Sequence, residues 1–563
     1  MTGCLPGRLR PFVAAGLVAI ACLLPARADA RDQLAIGITQ FPSTLNPLID
    51  SMLAKSYILA MAHRPVSMFD HDWNVTCRMC TELATFENGR AVATDAVDAD
   101  GTPTGRRGVI SRVTLRDDVY WGDGVPVTTK DVVFTWKVGR HPDTGVPDRQ
   151  SFLDVTRIEV HDEKTFSVVS SKLDYLYQAS FGLLLPAHLE EAAFAEPGNY
   201  RHRTLYQTDP TNPGLYNGPY RITAVSPGAT VVLERNAHWK GQSPAFDRIE
   251  VRTIEKTAAL EAHLLSGAID YIPGEMGLTL DQALSFEKRH GNRFDVVYKP
   301  GLIYEHIDLM LDNPILADLR VRRALLHAID REAVNARLFE GKQPVAHTMV
   351  NPLDWIHTDD VRTYPHDPDR ARALLDDAGW STIRNGIRHD ANGTRLALEF
   401  MTTAGNRVRE LVQQVLQSYW REVGVEVTIR NEPARVLFGQ TISNRAFSAL
   451  AMFAWLSAPE SLPRTTLHSN SIPAAGNNWS GQNYTGFRNK DMDRLIDEIE
   501  LELDRTRRAG LWKRVQRIYA EQLPVLPLYF RSDAYIIPRW LKGIRPTGHL
   551  APTTNWIEEW SVE

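Results

Sequence analysis

The chain is poor in the features that would place it in several large protein classes. Four cysteines in 563 residues exclude a disulfide-dense scaffold, which needs cross-links because its core is small. No apolar run after Leu24 approaches the roughly 20 residues needed to cross a bilayer, so a multi-span membrane protein is excluded. There is no basic run and the formal net charge is −5, so neither nucleic acid nor an anionic lipid surface is indicated as a partner. Local signatures of catalysis are missing too: the sequence has no GxSxG elbow, HExxH helix, GxxxxGK[ST] phosphate loop or GxGxxG fingerprint. The histidines are scattered without ligand spacing, and neither a metal nor a cofactor is expected.

What is present begins with Arg8 and Arg10, an apolar run from Phe12 to Leu24, and Ala26-Arg27-Ala28. Charged, apolar and small residues in this order predict a secretory signal peptide over residues 1–28. Lipid anchoring at Cys22 is the lesser alternative, because Ala19 stands where such signals usually carry Leu or Val. Cleavage would remove three arginines and no acid, together with Cys4 and Cys22. The cysteines left are Cys77 and Cys80, which in an oxidising compartment read as a small disulfide pinning a loop. A redox pair would sit at a helix start just after a strand, and a metal site would need a second pair of ligands.

A hydrophobic content of 43% with 23% charged residues is ordinary for a globular chain, and the length suggests about three or four structural units, enough for a deep cleft between lobes. Leu34–Thr39 reads as a buried strand. Val113 to Trp136, VTLRDDVYWGDGVPVTTKDVVFTW, reads as a strand, a glycine turn and a helix opened by Thr128 with Asp131 three residues on. Asn217-Gly218-Pro219-Tyr220 predicts a hairpin turn whose second strand is Thr230–Arg235, and Ala258 to Gly267 a helix. From about residue 299 the chain alternates helices and strands. Val321, Ala324, Leu325 and Ala328 share a helical face, Asp367-Pro368 opens another helix, and Val408 to Tyr419 marks a third that ends at Gly424 before the strand Val425–Ile429. Two further helices, Asp491–Leu503 and Arg505–Gln522, precede a strand over Pro524–Tyr529.

Several of these segments resemble, in order, the landmarks of family 5 extracellular solute-binding proteins of ABC importers. The 113–136 segment carries the likeness most strongly. It is supported by Thr44-Leu45-Asn46-Pro47, Leu185-Pro186-Ala187-His188, Gly218-Pro219-Tyr220, Arg235-Asn236-Ala237-His238-Trp239, Ser266-Gly267-Ala268-Ile269-Asp270, the run Arg320 to Asp330, and Pro524 to Tyr529. The resemblance implies an α/β fold of the periplasmic binding protein type (type II, class C). Two lobes would enclose the ligand beside an extra inserted domain, with mixed sheets and hinge strands. The implied division is lobe I at 29–72, 205–298 and 531–563, an inserted domain II at 73–204, and lobe III at 299–530. It further implies a monomeric periplasmic receptor that delivers a peptide or other small solute to the permease subunits of an inner-membrane ABC importer.

Binding residues follow from the same likeness. In peptide binders of the family a strand near Ala451–Leu456 pairs with the peptide backbone, and a Trp-x-x-Asp pattern supplies a carboxylate to the ligand ammonium. This chain keeps Trp455 but has Ala458 where the Asp would fall. A buried ammonium without a counter-charge costs several kcal/mol, so Glu460 or Glu275 is expected to substitute unless the ligand lacks a free amino terminus. The remaining candidates are Ser457, Arg464, Trp479, Asn483 and Tyr484 on this side, and Phe41, Ser43, Thr44 and Leu45 on the opposite lip. On the same scaffold the ligand would alternatively be an opine, an oligosaccharide, a nickel chelate or haem. Outside it, a secreted hydrolase, a thiol oxidoreductase using Cys77 and Cys80, or a holdase is the rival reading.

Overall fold

The computed structural model describes residues 31–563 except 50–51, 98–100, 148, 174, 180–181, 478 and 550. The expected signal segment and Cys22 lie outside the described residues. Three sheets organise the chain. In the first, Gln33–Ile38 runs parallel to Arg248–Thr253, which pairs antiparallel with Thr230–Arg235 and through it with Tyr220–Ser226. The second is an antiparallel sheet in the order Ala91–Val97, Pro103–Thr114, Thr165–Ser170, Val155–Val160. The third is mixed, in the order Glu426–Ile429, Ala397–Met401, Leu450–Leu456, Phe294–Leu309, Val525–Pro538.

Helices cover these sheets where capping and apolar periodicity coincide. Asn406 accepts from Arg409 N to open Arg407–Glu422, whose Val412, Leu416 and Trp420 are buried on one face. Asp318, Asp367 and Asp504 cap three other helices in the same way. The capping box read at Thr128 and Asp131 is formed, and Asp131 also accepts from Ala187 N at 2.9 Å. Burial pushes the Asp131 carboxyl up, because these hydrogen bonds only partly replace its hydration.

The 113–136 segment is scaffold. Trp121 is fully buried, Gly122 N donates to Tyr216 O at 2.7 Å, and His188 Nε2 lies 2.8 Å from Asp123 in the turn. Gly124 has φ +90°, a left-handed conformation that suits glycine. Cys77 and Cys80 form a disulfide, and Cys80 packs in the same core as Trp121. Gly218 has a reason that the turn reading missed. A Cβ there would lie 2.6 Å from the Ala62 carbonyl carbon and 2.8 Å from His63 N, so the close approach of the Leu53–Ala62 helix end excludes a side chain.

Phe294–Leu309 and Val525–Pro538 form a long antiparallel ribbon from Phe294↔Pro538 to Asp308↔Val525. One end, with Phe294, Ala534 and Ile536, packs on Leu260, Ile269 and Phe286. The other, with Ile307, Leu309, Leu526 and Leu528, packs on Leu325 and Leu416. Between the two cores the register breaks at Pro300/Tyr304 and again at Glu305/His306. The final strand therefore runs well past the Tyr529 expected from sequence. Only Arg531-Ser532-Asp533 interrupts its apolar run, which Ala534 to Ile537 resume, Ala534 and Ile536 in the core of Leu260 and Phe286, and Tyr535 and Ile537 in that of the first sheet.

The second sheet's body also touches the third's directly. Tyr175 Oη donates to the Glu460 carbonyl at 2.5 Å, Arg508 lies over the Tyr175 ring at 4.9 Å, and Lys172 pairs with Glu500 at 3.1 Å.

Candidate ligand-binding site

Two adjacent strands of the third sheet turn one face toward a cavity of about 150 Å³. Alternation along Phe294–Leu309 puts Tyr304, His306 and Asp308 on that face, opposite Trp455, Phe453 and Ala451 of the neighbouring strand. Their rings stack in a near-parallel column. Centroids are 5.1 Å apart for Tyr304–His306, 6.4 Å for His306–Trp455 and 5.9 Å for Trp455–Tyr484, with interplanar angles of 13°, 12° and 20°. The 349–356 loop and the 457–467 and 482–485 segments supply the other walls, including Asp354 and Thr465.

The strand's other face is satisfied internally. Burial pushes Glu305 up, but Arg531 and Arg409 more than offset it, and Arg409 Nη2 lies 3.0 Å from the carboxylate. On the cavity side, Tyr304 and Tyr519 share a hydroxyl–hydroxyl bond of 2.9 Å. Asp354 is pushed up to about 6 by burial, although it accepts from Glu460 N at 2.6 Å. Burial and then the Asp308 carboxylate push the Tyr484 hydroxyl up.

Trp455 and Ser457 line the cavity, with Ala458 beside them, and Tyr484 stacks on Trp455. Glu460 is buried with its carboxylate on Arg508, at 3.3 Å for the Nη2–Oε2 contact, and its backbone is left-handed at φ +52°. Arg464 reaches Asp497 and Glu500, both at 2.6 Å. Asn483 braces a turn, donating to His468 O and Phe487 O and accepting from Phe487 N. Trp479 is 42% exposed, with its backbone N on Ala474 O.

The candidates of the opposite lip gather around the first sheet. Phe41 packs against its core and Leu45 is buried in it, Ser43 N donates to Met52 Sδ, and Thr44 Oγ1 accepts from Asn46 N. Glu275 accepts from Thr553 N at 2.9 Å and Thr553 Oγ1 at 3.0 Å, and burial pushes its carboxyl up. Glu275 and these four are not among the residues lining the cavity.

Sequence reasoning missed Tyr304, His306 and Asp308. Their signal was polar and aromatic side chains at every second position of Tyr304-Glu305-His306-Ile307-Asp308-Leu309, a pattern that on an interior strand aims three of them into one space.

Mixed sheets joined by a two-strand ribbon, with a partly open cavity beside it, define a two-lobed α/β binding protein. The chain belongs to the bacterial extracellular solute-binding proteins, family 5, whose middle region matches residues 108–473, well over half its length. These are the extracytoplasmic solute-binding components of ABC importers. The chain is similar to the oligopeptide-binding protein AppA of Bacillus subtilis, with 23% identity over 91% of this chain and 88% of that one. It is also similar to the crystal structure of an oligopeptide-binding protein from Thermus thermophilus complexed with a pentapeptide. There the identity is 30% and the TM-score 0.66, covering 94% of this chain and 96% of the other. NikA from Brucella suis, solved in complex with Fe(III)-EDTA, shares the fold at 19% identity and a TM-score of 0.75, over 94% of this chain and all of that one.

Proposed function

We propose that the protein captures a peptide-like solute in the periplasm, as a monomer, and delivers it to the permease of an inner-membrane ABC importer. The observation that carries this reading is an open strand edge. Pairing of Leu450–Leu456 with Ala397–Met401 stops at Met401↔Ala451, so from Phe453 to Leu456 one edge has no strand partner among the described residues. That edge leads into the cavity at Trp455 and Leu456. An extended peptide adding to such an edge gains main-chain hydrogen bonds that ignore side-chain identity, while the aromatic column accommodates varied side chains. The pentapeptide complex of the Thermus relative and the name of the Bacillus one point the same way. The expected division into lobe I, domain II and lobe III belongs to this reading, with the ribbon as hinge and with Phe41, Ser43, Thr44, Leu45 and Glu275 facing the ligand from the other lobe.

The test is mass spectrometry of ligand released from protein purified under native conditions, followed by thermal-shift titration with the molecules found. Peptides are expected, saturating one site per chain without turnover. Recovery of only an opine, a sugar, a metal chelate or haem, with no peptide raising the melting temperature, would refute the peptide assignment.

A further inference from the structure

The cavity contains an unbalanced charge. Its lining includes the carboxylates of Asp308 and Asp354 and no Lys or Arg. The Asp354 oxygens are taken by Glu460 N and Ile356 N. The Asp308 carboxylate, 3% exposed, accepts no hydrogen bond among the described residues, and its cross-strand neighbour is the small Ala451.

The nearest polar atom makes the imbalance sharper. His306 is 1% exposed, and its Nδ1 lies 3.2 Å from the Tyr304 carbonyl, which can only accept, so Nδ1 carries the proton. Nε2, the other ring nitrogen, faces the Asp308 carboxylate. It has no hydrogen-bond partner and stands 3.1 Å from Asp308 Oδ1. A buried carboxylate whose nearest polar neighbour is an imidazole nitrogen without hydrogen-bond geometry is left short of donors. Beside them runs the stacked column of Tyr304, His306, Trp455 and Tyr484.

We infer that this cavity takes a cationic group of the ligand, an ammonium or guanidinium, which donates to Asp308 Oδ1 and His306 Nε2 against the aromatic column. Asp308 thereby supplies the counter-charge that Ala458 lacks, and Glu460, committed to Arg508, does not provide it. The inference deepens the peptide reading, since it names which end or side chain of a peptide enters the cavity. Asp308 and His306 are binding residues.

The experiment is calorimetric titration of the native protein with four probes: trialanine, N-acetyl-trialanine, N-acetyl-Ala-Lys-Ala and spermidine. At least one cationic probe is expected to bind about 10-fold or more tightly than N-acetyl-trialanine, the difference a charge-assisted pair supplies. Asp308→Asn is expected to erase that advantage while leaving the unliganded melting temperature unchanged or higher, because it neutralises a buried charge. Trialanine and N-acetyl-Ala-Lys-Ala tell a terminal ammonium from a side-chain one. Equal affinity for neutral and cationic probes, a preference surviving in Asp308→Asn, or no binding by any probe overturns the inference. Equal affinity would leave the peptide reading standing. Spermidine bound through Asp308 when no peptide binds would uphold the inference and remove the peptide reading. If Asp308→Asn fails to fold, the probe comparison on native protein decides alone.

Discussion

Glu460 shows why a residue's type and position in sequence do not settle its role. It lies two residues past Ala458, where a substitute carboxylate was sought, yet its side chain is buried on Arg508 and its backbone carbonyl takes the Tyr175 hydroxyl. Glu460→Gln would strand the Arg508 guanidinium, which also contacts the Tyr175 and Trp355 rings. The expected loss is roughly 3–5 kcal/mol, read as a lower urea midpoint. Ligand affinity is expected to fall far less than in Asp308→Asn. Trp455 and Ser457 were reached only through the family resemblance, and both line the cavity, Trp455 on the strand and Ser457 just past its end. Asp308 was not legible, because a lone acid on an apolar strand looks the same in sequence whether it meets an arginine or an empty cavity. Glu305, three residues earlier, does meet two arginines.

At the scale of elements, the helices and short strands followed from caps and periodicity, whereas the ribbon did not. A strand that serves two cores carries two apolar stretches joined by a polar one, and in sequence the join reads as an end. Asp533 lies in that join, and burial followed by the Glu275 carboxylate pushes it up to about 7, with Arg531 opposing. The unfolded chain releases this proton near pH 4 while the folded chain holds it to about 7. The stability this supplies is complete below pH 4 and declines as pH rises through 7. Asp533→Asn is therefore expected to flatten the fall in melting temperature between pH 5 and 8, with the variant above the native protein at pH 8. Parallel pH profiles for the two proteins would contradict this.

For the whole molecule, the ribbon and the contact between the second and third sheets' bodies act at different points. The ribbon's broken register at Pro300/Tyr304 gives it a place to bend, while Lys172–Glu500 and Tyr175–Glu460 tie the bodies together elsewhere. Ligand that bridges the lobes stabilises the closed arrangement by its differential contacts. Small-angle scattering is expected to show a smaller radius of gyration with ligand than without. Tyr175→Ala is expected to enlarge the unliganded particle and weaken binding several-fold. An unchanged radius in all states would mean that the lobes are rigid. The order of the family landmarks made the overall architecture legible, but not which contacts tie its bodies together, since those depend on side chains far apart in the chain.

All the cavity-lining residues fall between Leu302 and Phe530, whereas the 113–136 segment lies outside that stretch and is anchored in scaffold by the buried Trp121. The wall of the site that lines this cavity is thus encoded in one uninterrupted part of the gene. A single recombination event that replaced this part would exchange that whole wall at once while keeping the 113–136 scaffold and the opposite lip. Laboratory evolution of new specificities can begin its libraries in the same stretch and extend them to the opposite lip.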